Sequence, residues 1–288
     1  MQLTRRRFVG SLGWAGLLSG RALQGKARAE IRIGLVTYLW GAEWDLPTLL
    51  RNCRAVGFEG VELRVGHAHG VEPNLSPAAR KAVRQQFADH GIVCVGYGSN
   101  QEFHSPDREV VERNIAGTIA LIRLCHDIGA TGVKVKPNAL PDGVPPERTI
   151  AQIARALDRV GQAATDYGQL IRVEVHGRGT AQPRVMREIM RRVESPAVRV
   201  CWNCNPQDLE PPGLAANFAM LRPYFGDTLH IHELDRSSYP YPWLFRLLRE
   251  SDYTGWLLFE GGQPPPMPRR LAGLRRQVEL LQRLLKKA

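Results

Sequence analysis

Along the chain, short apolar runs alternate with longer stretches in which apolar residues recur at helical spacing. The runs cover residues 31–38, Gly60–Arg64, 92–98, Gly132–Lys136, 171–177, Val198–Trp202, 228–233 and Trp256–Phe259. Between and after them the spacing predicts helices over residues 45–55, 76–90, 107–128, 147–167, 183–193, 214–224, 242–250 and 268–287. The punctuation agrees: Ser76 with Pro77 opens a helix, and Gly57, Gly129 and Gly168 close others. Eight strand–helix units in about 250 residues predict an α/β fold, a closed (β/α)8 TIM barrel, over residues 30–288. A doubly wound open sheet ordinarily carries a Gly-rich phosphate turn after its first strand. Thr37-Tyr38-Leu39-Trp40-Gly41 is not such a turn. Two Pro-rich loops, residues 139–146 and 262–268, are lid candidates.

Four consecutive runs end alike. The apolar residues lead to Glu174, Asn203, His230 and Glu260 in turn. Alternate side chains of a strand share a side, so an inward Glu174 takes Arg172 with it. Asn203 likewise takes Cys201 and Arg199, and Glu260 takes Leu258 and Trp256. The carboxyl-terminal mouth of such a barrel is where enzymes of this architecture hold their sites. Two carboxylates, an imidazole and an amide oxygen suit a divalent ion such as Mn²⁺, Mg²⁺, Co²⁺ or Zn²⁺. A single strand-end glutamate is more often a surface or capping residue; the repetition over four strands carries the expectation. Lys136, at the mouth end of its strand, and Glu62, near the end of the second run, are candidate substrate-binding groups. His176 joins them if the chain turns at Gly177; otherwise it points away from the side Glu174 faces. His67, His69 and His104 fall in loops and are expected to face solvent.

The formal charge of +11 is unevenly placed. Arg5, Arg6, Arg7, Arg21, Lys26 and Arg28 precede the first acid, Glu30, and without these six the balance is +5. The rest of the excess lies mostly on two helical stretches, residues 187–192 and Arg269–Lys287, where basic faces are ordinarily solvated. A nucleic-acid partner is therefore not expected. Thr4-Arg5-Arg6-Arg7-Phe8-Val9, an apolar run to Leu18 and Ala27-Arg28-Ala29 have the pattern of a twin-arginine export signal over residues 1–29. The expected location is the periplasm or another extracytoplasmic space, with no membrane attachment once the signal is removed. Five cysteines, an odd number, argue against a disulfide framework. Cys201 and Cys204 have C-x-x-C spacing, but they sit at the end of a strand instead of opening a helix, which is where a redox pair gains its reactivity.

Thr-Leu-His230-Ile-His-Glu233, Glu174-Val-His176-Gly and Phe-Glu260-Gly-Gly resemble the sugar isomerase/epimerase superfamily with a xylose isomerase-like barrel. The resemblance runs from about Ile31 to the C-terminus. It implies Glu174, Asn203, His230 and Glu260 as metal ligands, with Glu174 and Glu260 as the catalytic pair that removes and returns a proton. The family's H-x-x-[DE] pattern selects His230 over His232 and puts Glu233 and Arg236 among the substrate-contacting groups. Asn203 stands where the family usually has Asp, which reduces the ligand charge from −3 to −2 with a neutral histidine. Asn205 and Asp208 are substitutes if the register slips.

The function expected from these residues is a metal-dependent sugar isomerase or epimerase that moves a proton next to a carbonyl through an enediolate. Export favours an unphosphorylated or keto sugar. A sugar lyase or dehydratase could use the same site, and a non-catalytic carbohydrate-binding barrel could use the same fold. An endonuclease IV-like nuclease would need a three-zinc cluster, and the spacing of His67, His69 and His104 does not match one. The sequence leaves open whether the chain forms a homo-oligomer.

Overall fold

A computed structural model of the chain describes residues 31–236 and 238–288. The export-signal expectation for residues 1–29 lies outside the described residues. Eight parallel strands close into a barrel: β1 (Arg32–Val36), β2 (Gly60–Arg64), β3 (Val93–Glu102), β4 (Gly132–Lys136), β5 (Leu170–Glu174), β6 (Val198–Trp202), β7 (Phe225–Ile231) and β8 (Trp256–Phe259). Each strand pairs with its sequence neighbours, and β1 pairs with β8 to complete the ring. The helices between them are α1 (Leu46–Val56), α2 (Pro77–His90), α3 (Arg108–Ile128), α4 (Pro146–Asp166), α5 (Pro183–Met190), α6 (Leu214–Leu221), α7 (Tyr241–Glu250) and α8 (Arg269–Lys287). This is the (β/α)8 barrel the alternation predicts.

Local signals account for the helix limits. Asp45, Ser76 and Asp107 cap α1, α2 and α3 by accepting hydrogen bonds from the backbone N–H groups of Thr48, Ala79 and Glu109. Gly57 and Gly129 end α1 and α3 in the left-handed conformation, at φ 95° and 80°. In α4, Ile150, Ile153, Leu157, Val160 and Ala164 are buried at steps of three and four, the stripe that faces the sheet. None of the described helices is long and apolar enough to cross a membrane.

The main apolar core lies between barrel and helices and takes in Val133, Val135, Ile171, Val173, Val200, Leu229, Ile231 and Leu257. The barrel interior holds a separate, small apolar cluster of Val36, Val95, Trp256 and Leu258. Arg172 is fully buried beside it. Its Nε and Nη2 donate to the two carboxylate oxygens of Asp227, each at 2.8 Å. Nη1 donates to the Val95 carbonyl at 2.9 Å, and Nη2 also reaches Thr131 Oγ1 at 2.7 Å. Space for the guanidinium comes from Gly96, where a Cβ would lie 2.1 Å from Arg172 Nη1.

Several limits differ from the sequence reading. Strand β5 stops at Glu174, and Gly177 turns the chain at φ 99°. Gly177–Arg178 then pairs with Asn138–Ala139 in a two-strand ribbon, so the loop after β4 is fastened to the loop after β5. Strand β7 begins at Phe225 and ends at Ile231, because the chain after α6 closes in a short 3-10 turn, Arg222–Tyr224, and enters the sheet early. Strand β3 runs on to Glu102, with an irregular register against β4.

Candidate metal centre

Glu174, His230 and Glu260 converge at the mouth, each offering one ligand-type atom within 4.8 Å of the others. The ends of β5 and β7 supply the first two, and Glu260 follows β8 directly. The convergence follows from strand alternation. Trp202 at the end of β6 faces outward onto Phe218 and Phe225, so alternation puts Cys201 before it and Asn203, the first residue after the strand, on the inner side. Asn203 is buried, and its Oδ1 has no hydrogen-bond partner among the described residues.

The charges are closely opposed. Burial is the largest influence on Glu174 and would raise its pKa, yet Lys134, His230 and His176 together hold the carboxyl below its usual value. Lys134 Nζ donates directly to Glu174 Oε2. Glu260 is likewise held low against burial, chiefly by His230, whose Nδ1 lies 3.1 Å from Glu260 Oε2. His230 is fully buried, which would lower its pKa, but Cys201, Glu260 and Glu62 together hold it well above the usual value. Beneath it, Glu62 is entirely buried, with Oε1 3.4 Å from His230 Nε2 and neither carboxylate oxygen hydrogen-bonded.

The other expected residues form a rim. His176 is half-buried, with Nδ1 2.7 Å from Asn138 Oδ1. The amide of Asn138 donates to Glu102, and Lys136 Nζ lies 3.7 Å from the same Glu102 oxygen. His176 and Lys136 both have lowered pKa values, burial being the largest cause for each. Glu233 accepts a hydrogen bond from the Gly262 N–H at 2.7 Å and so links the loops after β7 and β8. Arg236 is exposed in the turn that follows. His232 stands apart from His230: its ring bridges the Glu260 carbonyl (2.8 Å) and the Asn203 carbonyl (3.0 Å).

Some expectations need correction. His69 does not face solvent; it is 6% exposed and holds the loop after β2 together through Arg64 O and Val71 N. His67 is half-buried against Thr37 Oγ1 at 2.9 Å. Burial lowers the pKa of each to about 4. Asn205 and Asp208 are not substitutes for Asn203. The Asn205 amide donates to the Val175 carbonyl. Asp208 lies behind Trp202, accepting from Tyr239 OH at 2.8 Å, which in turn accepts from Trp202 Nε1. Cys201 and Cys204 are both buried and free.

Two residues at the site were not among the expected ligands or substrate groups, although alternation from Lys136 already puts Lys134 on the inner face, where a lysine demands a partner. Lys134 is 1% exposed, and its partner lies on the next strand, which no spacing within β4 reveals. Arg64 is buried, shares the inner face of β2 with Glu62, and donates to Asn100 Oδ1 at 3.0 Å. Alternation from Glu62 to Arg64 is a signal that would have found it.

Solved structures place this geometry among known barrels. The chain is similar to 3-keto-D-glucoside 4-epimerase from E. coli, at 14% identity and TM-score 0.72, over 88% of this chain and 100% of that one. It is similar to D-psicose 3-epimerase from Clostridium cellulolyticum H10, at 15% identity and TM-score 0.73, over 88% and 99%. An L-ribulose 3-epimerase matches at 17% identity and TM-score 0.75, over 89% and 95%. At these identities the likeness shows a shared fold. A family model matches residues 50–284, most of the chain, and the protein therefore belongs to the xylose isomerase-like TIM barrel family.

Proposed function

We propose that the protein is a metal-dependent sugar epimerase or isomerase that moves a proton next to a carbonyl. The observation that carries the reading is the convergence of Glu174, His230 and Glu260 within 4.8 Å at the barrel mouth. The donor set fits a divalent ion: two carboxylates, an imidazole and the unpartnered Oδ1 of Asn203, on the side of β6 that faces His230. Glu174, Asn203, His230 and Glu260 would hold it. Such an ion, when bound, polarises a substrate carbonyl and makes the adjacent C–H more acidic.

The chain's own groups supply the rest. Glu174 and Glu260 come from β5 and from the end of β8, so they reach a sugar at the mouth from different sides. Both are held ionised by neighbouring cationic groups, so either can accept the substrate proton, while the other has first to take up a proton before it can return one. Lys136, His176, Glu233 and Arg236 provide polar groups for substrate hydroxyls. Solved relatives of this fold include a 3-keto-D-glucoside 4-epimerase and a D-psicose 3-epimerase, which supports a keto sugar as substrate class. The twin-arginine pattern in residues 1–29 supports an unphosphorylated one.

The direct ion pair between Lys134 and Glu174 favours a second reading, a carbohydrate-binding barrel that works without metal. Two measurements decide. Elemental analysis of the purified protein is expected to give one divalent ion per chain, lost in Glu174→Gln. Keto sugars incubated with the protein in D₂O are expected to gain deuterium next to the carbonyl. Sugar binding with neither metal nor exchange would establish the second reading.

A further inference from the structure

Nothing in the proposed reaction uses Lys134, yet it is among the largest fully buried side chains in the molecule. It stands on the inner face of β4, in register with Arg172 on β5. Ser99 Oγ donates to its carbonyl at 2.6 Å and fixes its strand. Its ammonium donates to Glu174, and the two side chains are 1% and 3% exposed. Glu174 is also a proposed metal ligand. An ammonium and a divalent ion are both drawn to the same buried carboxylate, and burial this deep leaves their repulsion weakly screened.

We propose that Lys134 is a built-in competitor for Glu174, so that the divalent ion binds weakly and reversibly and Lys134 sets its affinity. The proposal rests on the metal-centre reading above. Charge supports it. With His230 neutral, as a metal ligand must be, Glu174 and Glu260 bring −2 to the donor set, Asn203 brings none, and Lys134, the direct partner of Glu174, reduces the total to −1. A neutral amide at position 203 and a lysine at position 134 thus act in the same direction, and they do so from strands on opposite sides of β5. Glu62 does not restore the balance for the ion, since it lies beneath His230 and faces its far nitrogen. A lysine whose only task is to neutralise Glu174 would stabilise the fold and leave metal affinity unexplained; a competitor must change both.

The test is Mn²⁺ binding by titration calorimetry to the full chain and to Lys134→Met, Lys134→Gln and Lys134→Arg. The two neutral variants are expected to bind Mn²⁺ roughly 10- to 100-fold more tightly, the range typical of changes around a metal site. Their thermal midpoints are expected to be lower without Mn²⁺ and to rise more when it is added. Lys134→Arg, which keeps the charge, is expected to stay within about threefold of the unaltered chain. Unchanged or weaker binding in both neutral variants overturns the proposal, and so does tightening in Lys134→Arg equal to that in Lys134→Met. A measurement on the unaltered chain stands beside these in case the variants fail to fold. Acetic anhydride labelling of Lys134, read by mass spectrometry, is expected to rise as Mn²⁺ saturates; a fall or no change overturns the proposal. Mn²⁺ binding to none of the chains removes the metal centre itself, and the competitor with it. Equal binding to all of them removes only the competitor.

Discussion

The two ends of the barrel interior treat buried charge in opposite ways. Toward the floor, the Arg172 guanidinium is matched by both oxygens of Asp227, a carbonyl and a hydroxyl. Toward the mouth, both oxygens of Glu62, Oδ1 of Asn203, Nε2 of His230 and Nε of Arg64 are buried without hydrogen-bond partners among the described residues. A buried polar atom without a partner is a standing loss of stability unless something else meets it. The contrast separates charge that holds the barrel shut from charge arranged for a ligand.

The largest expected effect tests the floor. Arg172→Met leaves the buried Val95 carbonyl and the Thr131 hydroxyl without their donor, as well as the one-third-exposed Asp227 unpaired, and together these losses should cost about 3–5 kcal/mol in urea unfolding. A loss under about 1 kcal/mol would mean the floor is no more tightly matched than the mouth.

Asp208 is an intermediate case, with one oxygen bonded to Tyr239 OH and the other without a partner. Burial raises its pKa from 3.8 to about 7. The folded protein therefore keeps a proton that the unfolded chain releases from about pH 4 upward. The resulting stability is full below about pH 4, declines between 4 and 7, and is gone above the folded-state pKa. Over that window the decline should reach up to about 4 kcal/mol, and it should be absent in Asp208→Asn. Parallel pH–stability curves for the two proteins would count against this placement of Asp208.

The smaller effects sharpen the picture at the mouth. Asn203→Asp restores a carboxylate to the donor set and should tighten Mn²⁺ binding roughly tenfold or more. Weaker binding would show that residue 203 does not face the ion. Glu62→Gln neutralises a buried carboxylate that has no hydrogen bond among the described residues but faces His230 Nε2 at 3.4 Å; the desolvation relieved and the attraction lost oppose each other, and stability should change by no more than about 1 kcal/mol. A large loss would mean that Glu62 belongs with the floor, as an anchor for His230.

The architecture was readable in the sequence because each strand is a short apolar run and each helix carries its own stop or start. The inward side of each strand was readable too, since alternation carries from Glu174 back to Arg172 and from Glu260 back to Trp256. Depth was not. Glu62 and Lys136 both sit near strand ends, yet one is sealed beneath His230 and the other lies on the rim. The stagger between neighbouring strands sets that difference, and stagger is a property of the closed ring rather than of any one strand. Partners across strands were hidden for the same reason. Lys134 meets a glutamate 40 residues away, and Arg172 meets an aspartate 55 residues away. His69 was misread because a loop can be as well packed as a strand when a histidine ring supplies its hydrogen bonds.

The short ribbon between Asn138–Ala139 and Gly177–Arg178 bears on any redesign of the mouth. Barrels of this kind invite loop grafting, on the premise that each loop is a separate module on a common frame. Here the fourth and fifth loops are a single part. A side chain at position 177 would strike the Asn138 backbone at 2.0–2.4 Å, so the join admits only glycine. Replacing the fourth loop alone would also remove Asn138, the residue that holds His176 in place. A new specificity on that side of the barrel therefore requires both loops to be exchanged together.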